Sequence, residues 1–369
     1  MANERERIPE MKKINKKLVL ILCIFFITFS ITLADEKNSE GGILQKHFSL
    51  FEKKSENKTK TPLSKKASLK EMKPQAIKII QQSLSDSDPR IRTNAIEIVA
   101  QTRQIRLMPK VEKLLEDNYV PVRFAAAIAI GDTQYKLAKD SVKQMLNDPD
   151  TNIKIAASYA MIKLGSKDKS YEKKISDALI NQDQTIRANA AAILGKLGNQ
   201  DSLVKLYWVL KDADSKDMVR FQALESIAML GDEQIIPKIW PTIISSYNDD
   251  RVVGIRALGQ LGTEKAKEIL ITKLDDDVLI VRLAAAAQLG RLNDKTGETE
   301  VLNVFKNNLT AGLSKSDRER INFFTTLAIG EIATEPLTQN LPGFLENDSK
   351  LVKMAAAKAV LQCTKSYNL

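Results

Sequence analysis

A repeating pattern with a period of about 31 residues constrains this sequence more than any other feature, because self-similarity at a fixed period determines the architecture. Its clearest copy runs from Asp276 to Gly290, and the basic residue of that copy is Arg282. Equivalent positions, here called the spine, are Arg92, Arg123, Lys154, Arg187, Arg220, Arg251, Arg282, Asn322 and Lys353. The intervals between them are nearly equal, apart from a longer one between Arg282 and Asn322. Such a period is typical of a solenoid, whose core grows by stacking similar units.

Each unit has the pattern of a helix, an Asp-rich turn and a second helix. The positions one before, three after and seven after the spine are apolar or small in nearly every unit, which is the helical period of a buried face. Six residues before each spine position stands a residue that favours turns or helix starts. These residues are Asp86, Asp117, Asp148, Asn181, Asp214, Ser245, Asp276, Ser316 and Asn347. The sequence therefore predicts an all-α chain of about nine helix-turn-helix repeats.

The motif Asp-x-x-x-x-Val-Arg-x-x-Ala stands at residues 276–285 and 214–223. It resembles the HEAT-repeat family, in particular the HEAT-like repeats of the phycobilisome lyase type, over about residues 76–366. The resemblance implies a right-handed α-α superhelix, a HEAT/ARM-like solenoid. It also implies a structural ladder of hydrogen bonds between turn acids and spine cations of neighbouring units. The ladder residues are Asp86, Arg92, Asp117, Arg123, Asp148, Lys154, Asp214, Arg220, Asp276 and Arg282.

The eighth unit departs from this pattern. Asn322 replaces the spine arginine, and the interval that separates it from Arg282 is the longest in the array. We therefore expect an insertion of nine residues within 293–314, and the least regular packing there.

Residues 1–34 have the pattern of a secretory signal peptide. A basic stretch at residues 12–17 precedes an apolar run at 18–33, and small residues suit cleavage after Ala34. The segment that begins at Met11 would be sufficient as a signal peptide, so we expect translation to start at Met11. Leu22 before Cys23 disfavours a lipoprotein site. The alternative is an uncleaved anchor, because the apolar run is at the short end of what spans a bilayer.

Residues 35–75 form a Lys-rich tether that is too polar to bury a core, and residues 76–369 form the solenoid. Leu44, Phe48 and Phe51 fall at helical spacing and could dock as a short amphipathic helix, although a disordered tail is favoured. The single histidine, His47, also lies in the tether.

The net charge of +10 lies mostly in these N-terminal segments. Residues 1–34 contribute +3 and residues 35–75 contribute +4, so the repeats carry only +3. Phosphate binding needs a basic stripe, so nucleic-acid binding is the least favoured function. Cleavage would leave Cys363 as the only cysteine, which excludes an internal disulfide. Export without a disulfide favours a bacterial periplasm or cell envelope.

The repeats carry no His/Cys cluster and no Gly-rich phosphate loop. Helix capping explains the acidic run Asp275–Asp277 better than metal binding does. We therefore predict no catalytic residue, no metal site and no cofactor. A bilin-lyase-like enzyme, acting on a chromophore or another small molecule, stays open as the alternative.

The residue after the spine is commonly charged in such repeats, because it projects from the inner helix. Here seven of the nine are large and apolar. With two residues one turn further along, they predict an apolar strip on the concave surface: Phe124, Ile155, Tyr159, Phe221, Val252, Leu283, Phe323, Leu327 and Met354. The hypothesis is that this concave strip binds a peptide or helix of a partner protein. The alternative is that neighbouring inner helices or the tether cover it.

Trp208 and Trp240 are expected to be packing residues on outer helices. The function that these patterns favour is an exported, non-enzymatic scaffold or adaptor that binds other proteins. Membrane association is expected only through an uncleaved N-terminal segment.

Overall fold

The computed structural model describes residues 68–367, which form helices joined by turns, with no strand in that range. The helices pair into nine units, each with an outer helix followed by an inner helix, and the inner helix is the longer one in every unit except the first. The outer helices are α1 (Leu69–Ser83), α3 (Met108–Lys113), α5 (Lys139–Met145), α7 (Ser170–Asp177), α9 (Ser202–Lys211), α11 (Ile236–Ile243), α13 (Glu264–Thr272), α15 (Glu298–Lys306), and α17 with α18 (Glu335–Thr338, Leu341–Leu345).

The inner helices pack against one another from each unit to the next and form a continuous layer. They are α2 (Pro89–Gln101), α4 (Val120–Thr133), α6 (Thr151–Lys163), α8 (Gln184–Leu197), α10 (Asp217–Met229), α12 (Asn248–Leu261), α14 (Leu279–Arg291), α16 (Lys315–Ile332) and α19 (Lys350–Ser366). The predicted all-α superhelix of nine helix-turn-helix repeats is confirmed.

The predicted buried face is also confirmed. Every residue three or seven positions after the spine is buried, including Thr325 in the irregular eighth unit. Small residues three after the spine let the two helices of a unit approach closely. At Gly254 a Cβ would clash with Thr242 Oγ1, so the sixth unit requires glycine there.

The solenoid begins earlier than the predicted boundary at residue 76. Ser68 and Glu71 form a capping box, in which each backbone N–H donates to the other's side chain, and α1 starts at Leu69. Residues 69–75 are thus helical. The predicted signal peptide and most of the tether lie outside the described residues. Within residues 68–367, no helix has both the length and the apolar character needed to cross a membrane.

The two ends of the array meet. Helix α1 packs against α19, and the Lys350 ammonium lies 2.7 Å from the Asp86 carboxylate. An open solenoid needs a polar outer face on its terminal units. Here α1 instead buries Met72, Ala76 and Ile80. The nine units therefore form a closed array, in which the last unit occupies the place before the first.

The expected insertion in the eighth unit takes the form of a loop and a longer helix. Residues 307–314 connect α15 to α16, and Asn308 and Gly312 adopt left-handed backbone conformations there. Helix α16 then begins at Lys315, seven residues before Asn322.

Ile80→Ala tests the closure. Ile80 is fully buried in α1, so the smaller side chain should destabilise the protein by about 2–5 kcal/mol. Hydrogen exchange should show reduced protection in α19 as well as in α1, because the two helices share an interface. Unchanged protection of α19 would show that the array is open at this seam.

Candidate functional site

The predicted concave strip is not exposed. Seven of its nine residues are buried, namely Phe124, Ile155, Tyr159, Val252, Leu283, Phe323 and Met354, and the other two, Phe221 and Leu327, are half-buried. The expectation of an apolar surface available to a partner is therefore wrong.

Close packing of neighbouring inner helices buries this strip. The ring of Tyr159 lies so near the preceding unit that a Cβ on Gly131 would come within 2.7 Å of it. Phe323 packs edge to face against Phe324, with ring centroids 5.9 Å apart. Packing between neighbouring units therefore covers most of the strip, and only Phe221 and Leu327 keep partial contact with solvent.

Charged residues line the centre of the array instead, at positions that the sequence analysis did not consider. Each unit carries one charged residue at either five or nine positions after the spine, one helical turn apart. These residues are Glu97, Asp132, Lys163, Lys196, Glu225, Arg256, Arg291, Glu331 and Lys358. A comparison of the nine units at these two positions predicts a charged residue in every unit, so the sequence does contain the information.

Glu97, Asp132, Lys196 and Tyr159 form what we call the central cluster. The Lys196 ammonium lies 2.8 Å from Asp132 Oδ2, although the two residues are 64 positions apart in sequence. The Tyr159 hydroxyl donates to the other oxygen of Asp132. A cavity of about 50 Å³ borders Glu97, Asp132 and Lys196. The cluster thus joins the first four units of the array.

Glu97 is the buried carboxyl group of this cluster. Among residues 68–367, neither of its carboxylate oxygens has a hydrogen-bond partner. Burial raises the pKa of Glu97 well above its usual range, and the nearby cations Lys196 and Lys358 oppose the shift only in part. Burial next to Asp132 also raises the pKa of the Tyr159 hydroxyl, which stays a proton donor.

Two further pairs continue the polar centre around the array. Arg256 forms an ion pair with the buried Glu225. The Lys358 ammonium lies 3.8 Å from Glu331, and burial lowers the pKa of Lys358. The inner layer therefore has an apolar band between helices and a charged centre.

A ladder of ion pairs joins the units at the turns. The Arg92 guanidinium binds both oxygens of Asp117 in the next unit at 2.8 Å and donates to the carbonyl of Asp86 in its own turn at 2.7 Å. Equivalent ion pairs are Arg123–Asp148 at 3.2 Å, Arg251–Asp276 at 2.8 Å, and Arg187–Asp212. Each of these arginines bridges two units.

Several ladder residues differ from the prediction. Arg187 pairs with Asp212 rather than the predicted Asp214, because two additional residues in this unit displace its turn. Arg282 pairs with Glu300 at 2.7 Å, since the insertion moves the next turn away. Arg220 contacts Asp217 in its own helix at 3.9 Å. Lys154 forms none of these ion pairs within residues 68–367.

The turn acids also shape the turns. The Asp276 carboxylate accepts the N–H of Val278 at 3.1 Å, and Asp117 accepts that of Tyr119 at 3.0 Å. Such Asx turns lie two residues before the N-cap, so these aspartates set the turn without capping the inner helix.

The outer helices expose large apolar side chains in the middle of the chain. Trp208 and Trp240 are 47% and 50% exposed, so the expectation that they pack inside is wrong. Trp208 stacks on the guanidinium of Arg187, 5.9 Å from the ring centroid. With their exposed neighbours they form the outer apolar patch, defined as Ile180, Val204, Trp208, Trp240 and Ile244.

A second cavity, of about 220 Å³, lies where the two ends of the array meet. Asp88, Ile91, Lys315, Glu319 and Lys350 contribute to its walls. Within residues 68–367 no cluster of three or more His, Cys, Asp or Glu side chains suits a metal ion. Burial raises the pKa of the Cys363 thiol to about 12, so this cysteine is a packing residue.

The helical array with its turn ladder defines the class of the protein as an α-solenoid. A profile of HEAT repeats matches residues 172–252. The chain is 28% identical over 186 residues to the phycocyanobilin lyase subunit alpha of Picosynechococcus sp., covering 46% of this chain and 64% of that protein. It is 24% identical over 98 residues to the deoxyhypusine hydroxylase of Danio rerio, covering 27% and 30% of the two chains.

The chain therefore spans less than two thirds of each of these two relatives. Human deoxyhypusine hydroxylase in complex with glycerol has a TM-score of 0.35 and 15% identity, covering 72% of this chain and 99% of that one. The chain is thus similar to HEAT-repeat proteins, and its repeats are similar to those of the lyase type.

Arg92→Met and Arg90→Met compare a ladder arginine with a surface arginine. The Arg92–Asp117 pair is 11% and 9% exposed, whereas the Arg90–Asp88 pair is 55% and 31% exposed. Arg92→Met should destabilise the protein by about 1–3 kcal/mol, because it leaves Asp117 buried without its cation. Arg90→Met should cost about 0–1 kcal/mol. Urea unfolding measures both, and equal losses would contradict a bridging role for Arg92.

Glu97→Gln should stabilise the protein in a pH-dependent way. Below the unfolded-state pKa of about 4.3, both the folded and the unfolded wild type are protonated, so Gln brings no pH-linked gain. Above it the unfolded chain ionises first, and wild-type stability falls relative to the variant until the pH passes the raised folded-state pKa. Urea unfolding between about pH 4 and pH 8 should show a widening difference. The exposed Glu116→Gln is the control for loss of one charge, and a constant difference would contradict the prediction.

Proposed function

We propose that this protein is an exported, non-enzymatic HEAT-repeat scaffold that binds partner proteins through the outer apolar patch. The observation that carries the proposal is the half-exposure of Trp208 and Trp240 on two successive outer helices. Large apolar side chains left exposed together mark interaction sites, and tryptophan dominates the energy of many protein interfaces.

The patch replaces the concave strip as the binding surface. Phe124 and Phe323, two residues of the predicted concave strip, are fully buried and could reach a partner only if the inner layer opened. Ile180, Val204 and Ile244 are 70%, 78% and 60% exposed and can make contacts without any rearrangement.

A bilin-lyase-like activity is the second candidate, because the chain is similar over 186 residues to a phycocyanobilin lyase subunit. Sites that enclose a drug-sized molecule usually have volumes of about 300–1,000 Å³. The cavities beside Glu97 and at the seam measure about 50 and 220 Å³. These volumes favour the scaffold, since a linear tetrapyrrole is larger than either cavity.

Export is part of the proposal and rests on the sequence of residues 12–34. Their basic stretch, apolar run and small residues before Asp35 form a leader pattern. A scaffold released into a bacterial envelope would meet its partners there.

Site-specific crosslinking in intact bacterial cells that express the full chain tests the proposal. A photoreactive phenylalanine analogue at position 240 should give discrete crosslinks to other proteins, whereas the same analogue at Leu137 should not. Leu137 is 80% exposed and lies outside the patch, so it controls for exposure alone. Identical patterns at the two positions would refute the proposal. Visible absorbance of a chromophore that copurifies with the protein would favour the lyase instead.

A further inference from the structure

We propose that the element bound by the outer apolar patch is an amphipathic α-helix with acidic flanks, lying across outer helices α7, α9 and α11. This inference rests on the proposed function and specifies the partner's chemistry. It follows from three features of the patch: the order of its helices, its width and its charge.

The patch is formed by α9, by α11 with the residue that follows it, and by the turn that follows α7, where Ile180 lies, and these segments are neighbours in the array. Lys205 on α9 donates to Ser176 Oγ on α7 at 3.0 Å. On the other side of α9, the Tyr207 hydroxyl donates at 2.9 Å to Asp232, which precedes α11. Ile180, Trp208 and Trp240 therefore follow one another along the array.

The spacing of this row suits a helix. Packed helices lie about 8–10 Å apart, and seven residues of an α-helix advance about 10.5 Å. A helix with an apolar residue in each heptad could therefore contact one outer helix after another. The patch presents pairs at i and i+4, Val204 with Trp208 and Trp240 with Ile244, so it is two side chains wide. That width matches the apolar stripe of a helix better than an extended chain, in which alternate side chains point away.

The charge on this face selects an acidic partner. The charged residues within α9 and α11 are Lys205, Lys211 and Lys238, and all three are exposed, whereas the two lysines and two acids of α7 balance one another. Acids stand just outside the ends of α9 and α11, at Asp201 and Asp212 for α9 and at Asp232 and Glu233 before α11. The basic zone is thus narrow and bounded by negative charge.

This arrangement disfavours the other occupants. A flat anionic bilayer would press its headgroups against the acids at the helix ends as well as the lysines. A second copy of the patch would bring lysines against lysines. The N-terminal stretch 35–75 has a net charge of +4, the same sign as the patch. A narrow helix flanked by Glu or Asp meets only the lysines.

A designed peptide can test the inference on the purified mature chain. The peptide carries Leu at heptad positions a and d, Glu at e and g, and Ala elsewhere. Trp208 and Trp240 are the chain's only two tryptophans, so their fluorescence reports binding at the patch itself. We expect a saturable blue shift with this peptide. The same peptide with Lys in place of Glu, or with a central Pro that breaks the helix, should bind at least about tenfold more weakly.

Charge reversal supplies the matched control. The variant Lys205→Glu/Lys211→Glu/Lys238→Glu should invert the preference between the Glu and Lys peptides, whereas Leu137→Ser should change neither affinity. Circular dichroism checks that both variants stay folded. Equal binding of the two peptides, or stronger binding to phosphatidylglycerol vesicles, would overturn the inference. If no peptide binds while position 240 still crosslinks to proteins in cells, the inference fails and the proposed function stands.

Discussion

Arginines that reach from one unit to the turn of the next hold neighbouring units in register. Arg92 and Arg123 each bind a carbonyl of their own turn and a carboxylate of the next turn, and Arg251 binds the carboxylate of Asp276 in the next turn. Apolar packing alone would let neighbouring inner helices slide, because small residues offer few steric stops. A bidentate guanidinium fixes both distance and direction. The ladder thus fixes the relative positions of neighbouring units, which apolar packing alone would leave free to slide, and so sets the curvature of the array.

The curvature of the array determines which surfaces remain exposed to solvent and can bind a partner. It closes the array, covers Phe124 and Phe323, and brings Glu97 close enough to Lys196 and Lys358 for their charges to interact. The centre becomes a second, polar core whose ionisable groups are largely neutralised by one another. The surfaces left to solvent are the outer helices and the turns, and among these the middle outer helices carry the exposed tryptophans. The proposed binding surface therefore lies on the convex side of the solenoid rather than on the concave side.

Local periodicity was enough to predict the helices and the buried positions, because each depends on residues within one unit. Ala285 and Leu289 could be assigned to the core from spacing alone. The closure could not be predicted, since Lys350 and Asp86 meet across 264 positions. The pairing of Arg187 with Asp212 rather than Asp214 also could not be predicted, because it results from two additional residues in one unit. The exposure of Trp208 depends on how far the neighbouring outer helices extend over its side chain. The sequence of its own helix therefore does not predict it.

The closed seam also changes how such a protein comes apart. An open stack of nine units has eight interfaces and two ends from which units can peel away one at a time. A closed stack has nine interfaces and no end. Neither terminal unit can peel away from it until the α1–α19 contact and the Lys350–Asp86 pair have broken. Closure therefore removes the free ends from which the unfolding of an open stack would begin.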